Sequence, residues 1–181
     1  MIDTSLTAWI NGLAGRSHLL DLLMVAITQA GVPLLVAAVA LQWWPRQGRE
    51  SERHVLVACG LTFLLGLALN QGVLLLVHRV RPYDAGITHL LVARSADPSF
   101  PSDHATATFA IVLGFLLNAR MGKAAVFLAG AMLVVLSRIF VGTHYVSDVL
   151  GGILTALMAA AFVRIAYVRG TRLDRWVTAV L

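Results

Sequence analysis

His144 and Asp148 stand four residues apart in THYVSD, and His104 closes the tetrapeptide PSDH at 101–104. On a helix, residues four apart share a face, so the Asp148 carboxylate can take a hydrogen bond from one His144 nitrogen and leave the other unprotonated and aimed. A nucleophilic or basic histidine requires that arrangement. The pair alone also fits an interfacial histidine balanced by an acid, and a triad-like reading needs a third partner. Arg138 lies in the apolar run LVVLSRIFV, where an unpaired guanidinium is costly. It needs an anion, and either Asp148 or a bound phosphate meets its bidentate fork. Arg81 and Arg79 bring positive charge to the end of another apolar run, where Arg79 can equally snorkel.

The stretch FPSDH has its own logic. Pro101 and Ser102 suit a helix start, with Ser102 as N-cap, so the N–H groups around Ser102, Asp103 and His104 are expected to point outward and offer an anion site. His104 is then placed to protonate a leaving oxygen. The Asp103 carboxylate repels a phosphate unless it turns away. Plain capping by Ser102 and Asp103 is the simpler alternative.

The elements that must hold these residues are membrane helices. The 181 residues are 59% hydrophobic and 13% charged, with a mean hydropathy of +0.81, against roughly 25% charged residues in soluble domains. A bilayer core of about 30 Å takes about 20 apolar helical residues. Five runs meet or approach that length: Leu19 to Trp44, Val55 to Val77, Ala105 to Ala119, Ala124 to Val141 and Val149 to Val168, the third lengthened by starting at Ser102. Ser5 to Leu13 is too short to span and reads as an interfacial helix with Leu6, Trp9, Ile10 and Leu13 on its apolar side. The expected fold is therefore all-α, a polytopic bundle of about five transmembrane helices plus that short N-terminal helix. It forms a single domain over 1–181 with its motif region at 70–152. The N-terminus lacks a basic n-region, so no cleaved signal peptide is expected.

Of the 14 lysines and arginines, only Arg16, Arg79, Arg81, Arg94 and Arg138 avoid the side that collects Arg46, Arg49, Arg53, Arg120, Lys123 and the C-terminal arginines. The positive-inside rule makes that side cytoplasmic. The HRVRPY, FPSDH and SRIFVGTHYVSD clusters then converge on the extracytoplasmic face of a cytoplasmic membrane. The net charge of +5 comes without a basic run interleaved with aromatics, which excludes nucleic acid as a partner. The single Cys59 excludes a disulfide framework or a multi-cysteine metal site.

Together the three clusters resemble the motifs of the type 2 phosphatidic acid phosphatase (PAP2) superfamily of membrane lipid phosphatases, written K-x6-R-P, P-S-G-H and S-R-x5-H-x3-D. The chain offers Arg81-Pro82, Pro101-Ser102-Asp103-His104, and Ser137-Arg138 spaced to His144 and Asp148. It departs from the pattern twice, with Leu74 where the motif has lysine and Asp103 where it has glycine. His78, Gln71 and Arg79 lie near enough to Leu74 for one of them to replace the missing phosphate contact; otherwise the site is weaker. The resemblance implies that His144 attacks phosphorus and becomes a phosphohistidine, Asp148 orients it, and His104 protonates the departing oxygen. It assigns the phosphoryl oxygens to Arg81, Ser102, the Asp103 backbone and Arg138, and implies no metal or other cofactor. The PSDH variant is similar to that of bacterial undecaprenyl-diphosphatases. Undecaprenyl diphosphate is thus the expected substrate, with phosphatidylglycerophosphate or phosphatidic acid as alternatives. A non-catalytic lipid- or anion-binding membrane protein is the reading from another class, favoured by Leu74 and opposed by the two histidines.

Overall fold

The structure, a computed structural model, describes residues 2–44 and 49–179, so Arg46 lies outside the described residues, as does the side chain of Arg49. The helices in chain order are α1 (Ile2–Asn11), α2 (His18–Ala40), α3 (Arg49–Leu74), α4 (Asp103–Leu117), α5 (Met121–Phe140), α6 (Val146–Ala166) and α7 (Arg172–Ala179). A 3-10 turn at Leu41–Trp43 extends α2, and no strand occurs among the described residues. The fold is all-helical, as expected.

Four helical stretches are long and apolar enough to cross a bilayer: His18–Trp43, Glu50–Leu74, Met121–Phe140 and Val146–Ala166. The fifth differs from expectation. Helix α4 has 15 residues, about 22 Å at about 1.5 Å per residue, too short for a core of about 30 Å. It does not gain length from Ser102, because that residue is its N-cap. Short length is tolerable because α4 is buried on all sides from Ala105 to Val112, packed against α3, α5 and α6. The longer neighbours meet the lipid in its place. Leu64, Val126 and Phe162 are exposed on their outer faces, as hydrocarbon contact requires, while Ala105, Ala110, Ala131, Ala156 and Ala159 fill the interior. Small residues let helix backbones approach where no hydrophobic effect drives them together.

Helix α3 ends at Leu74, short of the expected Val77, and the chain runs non-helically through Arg81. Pro82 disfavours helical geometry in the residue before it. The connection to α4 is then tied down by the turn between α5 and α6. The Leu91 N–H donates to the Val141 carbonyl at 3.1 Å, and the Thr88 hydroxyl donates to the Gly142 carbonyl at 2.9 Å. Gly142 has φ +84°, and a Cβ there would strike the His89 carbonyl, so the turn needs glycine on both counts. The short helix α7 has no counterpart in the sequence-based expectations.

Candidate active site

A cavity of about 190 Å³ opens where the end of α3, the start of α4, the end of α5 and the start of α6 meet. His104, His144, Arg81 and Arg138 line it, together with Asp103 and Leu74. Residues from all three sequence clusters therefore share one cavity.

His144 precedes α6 rather than lying on it. Its Nδ1 lies 2.9 Å from the Ser99 carbonyl and 3.5 Å from Asp148 Oδ2. A carbonyl only accepts, so Nδ1 carries the proton and Nε2 keeps its lone pair. Burial holds the His144 pKa below the ordinary histidine value, against the opposing hydrogen bond to Asp148. Asp148 reaches His144 because it sits in the first turn of α6, where its Oδ2 accepts the Tyr145 N–H at 2.8 Å. The Ser99 hydroxyl donates to the same oxygen. Ser99 thus touches both members of the pair, and no sequence signal marks a backbone carbonyl for that task.

The arginines part company with one sequence expectation. Asp148 pairs with Arg79, not Arg138: Arg79 Nη1 donates to Asp148 Oδ1 at 2.7 Å. Arg138 Nη1 donates instead to the Thr28 hydroxyl at 2.9 Å, and its buried Nε has no hydrogen-bond partner among the described residues. Arg81 donates through Nε to the Asp97 carbonyl at 2.8 Å and through Nη1 to the Thr143 carbonyl at 3.1 Å. Neutral acceptors orient both guanidinium groups and leave their charge for the cavity.

Ser102 is fully buried. Its N–H donates to the Asp148 carbonyl at 3.0 Å and its hydroxyl accepts from the Ala105 N–H at 3.5 Å. The Ser102 N–H therefore does not point into the loop as expected, and the residue caps α4 from behind the lining. Asp103 Oδ1 accepts a 2.7 Å hydrogen bond from Asn70 Nδ2. Asn70, fully buried in α3, went unread in the sequence although an amide in an apolar span invites a partner search. The proposed stand-ins for the motif lysine are not brought to the cavity. His78 and Gln71 are exposed, Arg79 is engaged with Asp148 and Asp3, and Leu74 itself occupies the lining.

The PAP2 superfamily model matches residues 55–172. The chain belongs to the PAP2 superfamily. It is 37% identical over 150 residues to undecaprenyl-diphosphatase BcrC of Bacillus subtilis (strain 168), covering 82% of this chain and 76% of BcrC. It is 29% identical over 136 residues to the putative undecaprenyl-diphosphatase YbjG of Escherichia coli (strain K12), covering 75% and 66%. The crystal structure of the first transmembrane PAP2 type phosphatidylglycerolphosphate phosphatase from Bacillus subtilis has the same fold, with a TM-score of 0.68, 24% identity, and coverage of 93% of this chain and 87% of that one. This PAP2 protein is accordingly an integral membrane phosphatase, and its candidate site is the cavity of His104, His144, Arg81 and Arg138.

Proposed function

We propose that this phosphatase hydrolyses undecaprenyl diphosphate to undecaprenyl phosphate on the extracytoplasmic side of a bacterial cytoplasmic membrane. One observation carries the mechanism: the Ser99 carbonyl fixes Nδ1–H of His144, leaving Nε2 as a nucleophile in a cavity flanked by two guanidinium groups and a second histidine. His144 Nε2 attacks the terminal phosphorus in line. The bond from that phosphorus to the bridging oxygen breaks, and His104 gives its proton to the departing undecaprenyl phosphate. His104 then takes a proton from water, the resulting hydroxide attacks the phosphohistidine, and orthophosphate leaves with His144 restored. Arg81 and Arg138 stabilise the charge on the equatorial oxygens. Ser102 acts here by fixing the start of α4, and the Asp103 backbone N–H joins the arginines on the phosphoryl oxygens. The reaction proceeds without metal.

The names of BcrC and YbjG support the diphosphate substrate, whereas the solved neighbour's name supports phosphatidylglycerophosphate as the competing one. The deciding experiment measures phosphate release by detergent-purified protein from both lipids, with chelator present. Undecaprenyl diphosphate is expected to give the higher kcat/KM, with a loss of about 10³-fold or more in His144→Ala. Preference for the other lipid would overturn the substrate, and activity surviving in His144→Ala would overturn the mechanism.

A further inference from the structure

Asp3, Thr7 and Asn11 recur every four residues along α1 and so lie on one face. That face points into the protein. Ile2, Leu6, Trp9 and Leu13 point outward and are exposed, so α1 presents its polar side to the bundle and its apolar side to the lipid interface. Each of the three inward residues holds the segment that carries His144. The Asn11 amide donates to the Phe140 carbonyl at 2.7 Å, Thr7 Oγ1 accepts the Val146 N–H at 3.1 Å, and Asp3 Oδ1 accepts the Ser147 N–H at 2.9 Å.

Arg79 joins this clamp to Asp148. Its Nη2 donates to Asp3 Oδ2 at 2.7 Å and its Nη1 to Asp148 Oδ1 at 2.7 Å, while its guanidinium stacks over the Tyr145 ring at 3.9 Å. Burial pushes the Asp3 carboxyl upward, but the Ser147 and Arg79 hydrogen bonds outweigh it and hold Asp3 below the usual carboxylate range. Asp148 is fully buried, and Arg79 is the cation that its carboxylate meets.

We infer that α1 braces the nucleophile, with Asp3 and Arg79 as positioning residues that act through Asp148 to fix the orientation of His144 and the charge it senses. The inference rests on the reading of His144 as nucleophile. His144 faces Asp148 from α6, Arg138 from α5, His104 from α4 and Arg81 from the connecting loop. Behind Asp148, Arg79 stands between two acids. Removing the cation leaves two acids uncompensated, which favours imidazolium; removing Asp3 leaves Arg79 wholly to Asp148, which disfavours it. A merely structural brace predicts no such opposition.

The test titrates His144 by NMR in histidine-labelled protein in detergent micelles, comparing wild type with Arg79→Gln and Asp3→Asn. Arg79→Gln is expected to raise the His144 pKa by about 1, and Asp3→Asn to lower it by less. Arg79→Gln should also cut kcat for undecaprenyl diphosphate by about 10²-fold with KM little changed. Arg79→Lys, which restores charge without the fork, should recover the titration and only part of kcat. If Arg79→Gln fails to fold, the downward shift in Asp3→Asn decides alone, because Asp3 is partly exposed and its loss is milder. Shifts of the same sign, or none, would overturn the inference. A wild type inactive on the lipid diphosphate would overturn the substrate reading while the titration still decides the brace.

Discussion

At the scale of single residues, one hydrogen bond gives a common side chain the tautomer that the proposed nucleophile requires. The Ser99 carbonyl fixes the proton of His144 on Nδ1, and burial keeps the ring neutral. The proposed attack needs the neutral form, so His144 limits activity only as pH drops through a pKa held below the ordinary value of about 6.5. The acid limb of kcat/KM, which reports the free enzyme, is therefore expected below pH about 6.5; a limb clearly above it would contradict the buried, neutral His144. Leu74 lines the same cavity where the family motif has lysine. Leu74→Lys adds a charge-assisted contact of about 1.5–3 kcal/mol in favourable geometry, partly spent on Asp103. KM for the lipid phosphate is expected to fall by about threefold to tenfold with kcat little changed, measured by steady-state phosphate release. The side chains that bring charge or protons to the cavity, His144, His104, Arg81 and Arg138, were legible because their chemistry is written in their type. Ser99 was not, because it acts on His144 through a backbone atom. The Arg79 pairing was not either, because sequence spacing favoured Arg138 as the partner of Asp148 and the true partner lies 69 positions away.

At the scale of elements, positioning depends on how closely α4 and α6 approach. A Cβ added at Gly152 would collide with the Ser102 carbonyl and come within 2.9 Å of the Ala105 Cβ. Backbone at a helix start cannot yield as a flexible side chain does, so overpacking here costs about 1–3 kcal/mol. Gly152→Ala is expected to lower the unfolding midpoint by about 5 °C and to reduce kcat by shifting His104 away from His144. A thermal melt and phosphate assay of the purified variant check both effects, and an unchanged midpoint would remove this contact from the account. The five apolar runs were readable from hydropathy because lipid demands length and apolarity of each helix that meets it. That rule fails for α4, which meets protein. It also gives no hold on α7, whose place is set by Asp174 accepting from His54 Nδ1 at 2.8 Å and from the Tyr167 hydroxyl at 2.6 Å.

At the scale of the whole molecule, the distribution of charge argues for one orientation. On the face that carries the site, Arg79 is paired with two acids, Arg81 and Arg138 serve the cavity, and Arg94 pairs with Asp84 at 2.9 Å. These arginines have local reasons to stand where they do, so they weigh little against the positive-inside rule. The opposite face keeps Arg53, Arg120, Lys123, Arg164, Arg169, Arg172 and Arg175, an excess only partly met by Glu50, Glu52 and Asp174. Cysteine labelling reads this directly. Cys59 is 1% exposed and should stay silent toward a membrane-impermeant maleimide, so single cysteines can be introduced without removing it. Ala96, exposed in the loop beside the site, and Met121, exposed at the start of α5 on the other face, are suitable positions. In intact cells Ala96→Cys is expected to label and Met121→Cys to label only after the membrane is opened. The reverse pattern would turn the molecule over and place the phosphatase cavity in the cytoplasm, where a lipid diphosphate would have to be presented from the inner leaflet.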